Sequence, residues 1–581
     1  MKKQDPVFDA ALALHRAGKL EQAAQAYRRI LKLRPGHGQA LNNLGTICHK
    51  LGLFDESRRH LERAVTSEPQ AWSNLSSLEI RLGRNLEAAT AAQRAIDLLP
   101  GLAAAYDNLG LALFRLDAIS QAEQATRKAL ALDPNSANAW NNLGQVLQRQ
   151  SRLTDAVQAY QQAINLNPGY EQAYSNMLFC MHFDGAWTSQ QIFEAHRRWG
   201  QHYEASVASP APKYRRSKVP VGSRPRIAFL TTDLFDHPVT MFLRSLIANW
   251  PHSRMELGFY ASVKRADEVT QWFKDRSDFW CDALPLSDEQ LATRIAQDEI
   301  DLLIELSGHT GESRLKVLVH RPAPVQMSWL GYFDTTGLQC VQYILTDGIC
   351  VTPQMEHLFT ESVLRMPDDF VCFDPPAYSP DPGPLPALTN GFITFGSQNQ
   401  LAKVTDEVIS LWSQLLLHLP RSRLLFQAKA FNDSETLHRF QDKFSGRGVD
   451  LSRVDFLLGT SRQQILQNYL KVDIALDPFP CAGGTTTCES LWMGVPVVTL
   501  QGDRFGGRHS ASHLSAVGLE RFIAQDVPEY LKIVSQLSLD LPSLAQIRST
   551  LRGQMRASAL CDGPRFTRNF EALIGSIINI S

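Results

Sequence analysis

Trp140-Asn-Asn-Leu-Gly144 recurs through the first third of the chain as Leu41-Asn-Asn-Leu-Gly45 and Tyr106-Asp-Asn-Leu-Gly110, with Trp72-Ser-Asn-Leu-Ser76 as a variant. Outward from these cores the register holds. Pro35, Pro69, Pro100, Pro134 and Pro168 stand 34, 31, 34 and 34 residues apart, and Val7 opens the first unit. Ala23, Ser57, Ala88, Ala122 and Ala156 recur at one position, and Ile30, Ala64, Ala95, Ala129 and Ala163 at another. Self-similarity at this period means stacked two-helix units, with small residues where paired helices approach. Five units cover roughly 4–170, and Tyr174, Asn176 and Met177 begin a sixth first helix. The 31-residue interval reads as a shortened turn before Trp72.

The series resembles the tetratricopeptide repeat, an α-superhelix whose first helices line a concave face. One position on that helix carries Asn43, Asn74, Asn108, Asn142 and Asn176, with Asp9 in the first unit. A carboxamide donates and accepts, so such a row can hold the backbone of an extended protein acceptor. The plainer alternative is hydrogen bonding within each repeat.

At 581 residues and 65.0 kDa the chain needs several cores. With 58 Lys+Arg against 59 Asp+Glu, the formal charge of −1 argues against nucleic acid and anionic membranes as partners. No run approaches ~18 apolar residues, the N-terminus lacks an apolar signal core, and the nine cysteines have no zinc-type spacing. A reducing, cytoplasmic setting is expected.

The period changes after a loop at about 205–225. Apolar or β-branched runs at Arg226–Thr231, Asp301–Leu306, Val325–Trp329, Tyr343–Thr346, Phe392–Phe395, Leu424–Gln427, Val472–Leu476 and Val495–Leu500 alternate with helical stretches, which predicts parallel sheets. A proline-rich stretch divides them. The expected order is repeats at 4–180, a helical transition and linker at 181–224, a first lobe at 225–373, a linker at 374–391 and a second lobe at 392–581.

Chemistry is sought in the strand-to-helix loops. After Val472–Leu476, Gly483 and Gly484 permit close approach of a ligand, and Thr485, Thr486 and Thr487 offer hydroxyls and amides at a helix start, a favourable anion site. Glu489, one turn on, is placed to grip ribose hydroxyls. Gln400 and Lys403 leave another strand, and Arg462 follows Thr460 and Ser461 on a third loop. Together they suggest one diphosphate pocket. The chain has no Asp-X-Asp triplet, so neither metal nor cofactor is expected, and Lys, Arg and a helix dipole must neutralise the leaving group. In the first lobe His237 is the acid, base or polar contact, with Asp298 in reserve and His309 a further candidate. Gly331 and Tyr332 are expected at a strand end facing the cleft.

The repeats followed by His237-Pro238, Arg321–Tyr332, Gln400/Lys403 and Gly483–Glu489 resemble the protein O-GlcNAc transferase family, glycosyltransferase family 41, over essentially the whole chain. The resemblance implies a GT-B fold of two Rossmann-like lobes, an inverting, metal-independent reaction, a nucleotide-sugar donor and a Ser/Thr acceptor. It assigns His237 to the active-site histidine and Gln400 and Lys403 to the donor site, with Lys403 on the diphosphate. Thr460, Ser461 and Arg462 fall on the loop that holds base and phosphates, and Thr485, Thr486 and Glu489 on the helix-terminus site. Gly484 and Ile465 stand where the animal enzymes carry histidines, and the motifs are at least as similar to the plant Spindly-type enzymes, which use GDP-fucose. The expected donor is UDP-GlcNAc, with GDP-fucose as the alternative; an inactive repeat adaptor and a lipid or small-molecule transferase are the other function classes considered. Lacking the large insertion between lobes, the chain resembles a compact, bacterial-type member.

Overall fold

A computed structural model describes residues 5–207 and 222–578. Most of the predicted 205–225 loop lies outside the described residues. The chain forms two compact units, one of residues 1–173 with 432–436, the other of 174–431 with 437–581.

The first unit is five helix pairs: α1 (Pro6–Arg16) with α2 (Leu20–Leu33), α3 (Gly38–Lys50) with α4 (Phe54–Ala64), α5 (Gln70–Arg81) with α6 (Asn85–Leu98), α7 (Ala103–Arg115) with α8 (Ile119–Leu132), and α9 (Ala137–Arg149) with α10 (Leu153–Leu166). The glycine of each core motif marks where the partner helix crosses. A Cβ on Gly45 would lie 2.7 Å from Leu61, and one on Gly144 would lie 2.5 Å from the Tyr160 ring. In the variant repeat Ser76 fits by donating its hydroxyl to the Ala88 carbonyl at 2.8 Å. Overpacking such a contact typically costs ~1–3 kcal/mol.

The three residues missing from the Pro69–Pro100 interval lie before Trp72: α5 starts at Gln70, directly after Pro69, whereas α3, α7 and α9 start three residues after Pro35, Pro100 and Pro134. The connection from α4 to α5 as a whole is not shortened, because α4 has 11 residues against 14 in α2, α6, α8 and α10. The repeat boundary moves. The boundary between the units falls inside the helix α11 (Glu171–Met181), after Ala173, and an 18-residue helix, Ser189–Ser206, follows it, so Asn176 lies in the second unit.

The second unit contains two all-parallel sheets. The first runs β3-β2-β1-β4-β5-β6-β7, from β1 (Arg226–Thr231), β2 (Glu256–Ala261), β3 (Phe279–Asp282), β4 (Leu302–Glu305), β5 (Val325–Ser328), β6 (Tyr343–Asp347) and β7 (Ser362–Met366). The second runs β10-β9-β8-β11-β12-β13, from β8 (Ile393–Ser397), β9 (Ser422–Gln427), β10 (Val454–Leu457), β11 (Ile474–Leu476), β12 (Val497–Leu500) and β13 (Ile523–Ala524). The strand order reverses between β1 and β4 in one sheet and between β8 and β11 in the other. Such switch points open crevices at the carboxyl ends of strands.

Sequence reading missed β2, β3, β7, β10 and β13. Four of these are edge strands, which bury one side only and lack a continuous apolar run. The fifth, β2, contains Gly258, whose missing side chain makes room for the Phe279 ring. The second-lobe boundary is corrected too. The C-terminal helix Gly563–Gly575 returns to the first lobe, where Phe566 stacks on Trp329 with ring centres 6.1 Å apart and Arg254 pairs with Glu571.

Candidate active site

Both switch points carry predicted residues. At the end of β8, Gln400 is exposed and opens a 3-10 turn that ends at Lys403. The Lys403 ammonium donates to the Ala482 carbonyl at 2.5 Å, which ties this loop to the one leaving β11. That second loop is organised by the buried Asp477, whose carboxylate accepts from the Gly483 amide and the Thr499 hydroxyl, both at 2.7 Å. Burial holds the Asp477 carboxyl above its usual range, and these hydrogen bonds and the Lys403 charge oppose the shift. A Cβ on Gly483 would lie 2.5–2.8 Å from Thr487, Asp477 and Thr486, whereas one on Gly484 would meet nothing closer than His509 Nδ1 at 3.7 Å.

The helix Thr485–Trp492 then begins. Its first two amides, Thr485 and Thr486, are the open ones, because the Thr487 amide already donates to the Gly484 carbonyl at 3.0 Å. Thr487 is buried and its hydroxyl bonds Ser510 at 2.7 Å, so it is a packing residue and not a ligand contact. The Thr486 hydroxyl donates to Asn399 at 2.9 Å.

Across the cleft, His237 caps the helix Pro238–Ala248 through Nδ1, which accepts from the Val239 amide at 3.4 Å. With Nδ1 accepting, the neutral ring carries its proton on Nε2 and presents a donor. Burial and the Arg462 charge lower the His237 pKa, against Asp233 and Asp236, which raise it. Arg462 links the lobes: its Nη1 lies 3.5 Å from Asp236 Oδ1, and its Nε lies 3.1 Å from Glu489 Oε1 without hydrogen-bond alignment. Burial pushes the Glu489 carboxyl up to about 7, although Arg462 opposes it. Thr460 and Ser461 are exposed beside Arg462, and the Ser461 hydroxyl caps the helix Arg462–Asn468.

The folded pKa of Glu489 lies above its ordinary value of 4.5, so ionising it in the fold is unfavourable and its cost to stability grows as pH rises from about 4.5 through 7. Glu489→Gln should therefore change Tm little at pH 5 and raise it relative to wild type by pH 8. A difference that stays flat with pH, measured by calorimetry, would refute this.

Other expected residues lie elsewhere. Asp298 ends a helix at the amino edge of the first sheet, where its carboxylate takes Tyr260 and Arg294, each at 2.8 Å, and its carbonyl takes Arg226, the first residue of β1. It therefore lies opposite the carboxyl ends where His237 sits. Tyr332 does not face the cleft. Its hydroxyl is buried at 2.7 Å from His196 Nε2 and 3.2 Å from His182 Nε2. His309 is buried in the same aromatic group, 2.9 Å from the Thr336 carbonyl. Gly331 packs directly on the Leu306 carbonyl. His182, His196 and Asp334 are close enough together to hold an ion. The Tyr332 hydroxyl lies between the two histidines, however, and His196 Nδ1 is bonded to the Ile192 carbonyl at 2.8 Å, which makes the group a buried hydrogen-bond relay.

Three residues were missed. Glu305 ends β4 fully buried, accepts from the Ser307 and Gly308 amides at 2.8 Å, and is pushed up to about 7 by burial. Asp233 follows β1 and faces Ser307. Tyr378, on the proline-rich linker, feels the charges of Arg462, Asp236 and Glu489. A carboxylate at the end of a central strand was the available signal for Glu305; nothing local marked Tyr378.

The glycosyl transferase family 41 model matches residues 173–377 and 386–570. The chain belongs to this family. Tetratricopeptide models match 8–71, 50–103, 103–136 and 137–170. A mutant of the Thermobaculum terrenum O-GlcNAc transferase superposes with a TM-score of 0.82 at 32% identity, covering 88% of this chain and 97% of that one. A Solanum lycopersicum protein named probable UDP-N-acetylglucosamine–peptide N-acetylglucosaminyltransferase SPINDLY is 38% identical over 411 residues, covering 69% of this chain and 44% of that protein. The Caenorhabditis elegans UDP-N-acetylglucosamine–peptide N-acetylglucosaminyltransferase is 24% identical over 492 residues, covering 65% and 42%. This family 41 chain thus spans less than half the length of these curated relatives.

Asn43, Asn74, Asn108 and Asn142 hydrogen-bond between repeats and not within their own. Asn43 donates to the Tyr27 hydroxyl at 3.1 Å, Asn74 to Asn42 Oδ1 at 2.7 Å, Asn108 to the Ser73 carbonyl at 2.9 Å and Asn142 to Asp107 Oδ1 at 2.8 Å. Each bond reaches back to the preceding repeat. The Nδ2 groups are spent on stacking repeats together, and the carboxamide oxygens are left to accept.

Proposed function

We propose that this chain is a protein O-glycosyltransferase that moves a sugar from a nucleotide diphosphate to Ser or Thr hydroxyls of proteins held by its repeats. The observation that carries the reading is the joining of two switch-point loops: Lys403 reaches Ala482 beside the open amides of Thr485 and Thr486. Cation and helix terminus converge where a departing diphosphate needs both. The acceptor oxygen would attack the anomeric carbon, the bond to the diphosphate would break with its electron pair going to the nucleotide, and the hydroxyl proton would pass to the Asp233 carboxylate beside His237. With its proton on Nε2, His237 orients the acceptor; Gln400, Thr460, Ser461, Arg462 and Glu489 hold the nucleotide.

UDP-GlcNAc is the proposed donor, supported by the donor in the name of the nematode relative. GDP-fucose is the second reading, favoured by Gly484, which stands where the animal enzymes carry a histidine. Metal independence and a reducing cytosol belong to the same proposal; all nine cysteines are free thiols, and among the described residues no helix is long and apolar enough to cross a membrane.

A ligand that binds only the folded state stabilises it by ~2.7 kcal/mol at a hundredfold excess over Kd. UDP should therefore raise Tm and GDP should not, and transfer from UDP-GlcNAc to a protein acceptor should persist in EDTA. A shift with GDP alone would move the donor to GDP-fucose; activity lost on chelation and restored by a divalent ion would overturn the metal-free mechanism.

A further inference from the structure

Seven residues after the asparagine position, the first helix of every repeat ends in a cation: Arg16, Lys50, Arg81, Arg115 and Arg149. The helix dipole favours a cation in a last turn, which accounts for the position but not for the surroundings. Seven residues are about two turns, so each cation shares a face with its asparagine. Arg115 and Arg149 are engaged, the first donating to the Ile80 carbonyl at 2.7 Å and the second 3.2 Å from Asp117. Arg16, Lys50 and Arg81 are exposed, and no ion pair involves them among the described residues. On α1 Asp9 stands two turns before Arg16, but no acid offsets Lys50 or Arg81: α3 has none, and Glu79 of α5 is buried against Arg58.

Between α3 and α5 lies a cavity of about 420 Å³, lined by Thr46, His49, Lys50, Asn74, Ser77 and Arg81 among others. Asn74 has given its Nδ2 to Asn42, so its oxygen can accept a backbone N–H from a bound chain. Two cations and two hydroxyls stand around that acceptor. His49 adds no further cation to these two, because burial and the neighbouring Arg81 lower its pKa.

We propose that the inner face of the second and third repeats selects extended protein segments bearing Asp or Glu, with Asn74 holding their backbone and Lys50 and Arg81 their carboxylates. This rests on the reading of the repeats as the acceptor-binding part. The test uses the full chain and two labelled peptides, one alternating Glu with small residues and one with Gln in place of Glu. The Glu peptide should bind about tenfold more tightly by fluorescence anisotropy, as expected for two exposed charge pairs. The preference should vanish in Lys50→Ala/Arg81→Ala and at high salt, while nucleotide-sugar hydrolysis stays unchanged. Equal binding of the two peptides would overturn the charge selection and leave the repeats as a peptide-binding surface. Binding of neither, with transfer to protein acceptors unaffected by the double substitution, would overturn the acceptor reading itself. Tighter binding of a single-stranded oligonucleotide than of the Glu peptide would also overturn the proposal, in favour of a nucleic-acid surface.

Discussion

Lys403→Ala should reduce kcat for sugar transfer by about 10²–10³-fold with the fold intact, the loss typical of removing one charge-stabilising donor from a site where charge develops. The ammonium is the cation that joins the β8 and β11 loops, and its partner is a carbonyl, which a bound phosphate oxygen can replace at no ionic cost. Its removal leaves the open amides of Thr485 and Thr486 to face the diphosphate alone. Nucleotide affinity should fall less than kcat, because the negative charge on the leaving oxygen is greatest after the sugar bond has begun to break. Transfer within threefold of wild type, at an unchanged circular dichroism spectrum, would remove Lys403 from the reaction.

Gly483→Ala and Gly484→Ala should part sharply although the residues are adjacent. A methyl group at 483 must enter space held by Asp477 Oδ1 and the Thr486 and Thr487 hydroxyls, and the Gly483 amide is what Asp477 grips. The loop can accept it only by moving the start of the helix Thr485–Trp492, and a displacement near 1 Å can cost about 10²-fold in rate. A methyl group at 484 meets only the edge of His509 at van der Waals distance and should be tolerated within about threefold. Rates and nucleotide-induced Tm shifts of both variants check this; equal behaviour of the two would mean that the glycines act through chain flexibility and not through space.

The contrast shows how far local pattern reaches. Asn-Leu-Gly at a fixed period places helix pairs because the glycine is where a partner helix crosses, as Gly45 on Leu61 and Gly144 on Tyr160 demonstrate. Buried central strands such as β1 and β4 announced themselves as continuous apolar runs, and the loops after β8, β10 and β11 carried Lys403, Arg462 and the threonines in plain view. One-sided edge strands did not, nor did the return of the C-terminal helix to the first lobe.

What the sequence by itself determined was therefore the repeat array, the two parallel α/β lobes and the residue types of an anion site, because helix period, strand burial and strand-to-helix loops are properties of neighbouring residues. Only the tertiary structure decided which of those residues are available for chemistry. Thr487 and Thr485 look alike in sequence, yet one hydroxyl is buried on Ser510. Asp298 and Asp233 are both polar residues beside a strand, yet they lie at opposite ends of the same sheet, one engaged by Arg294 and Tyr260 and the other near His237. The asparagine amides point back to the preceding repeat. A polar side chain's availability depends on what else has claimed its hydrogen bonds, and those claims come from residues tens to hundreds of positions away along the chain.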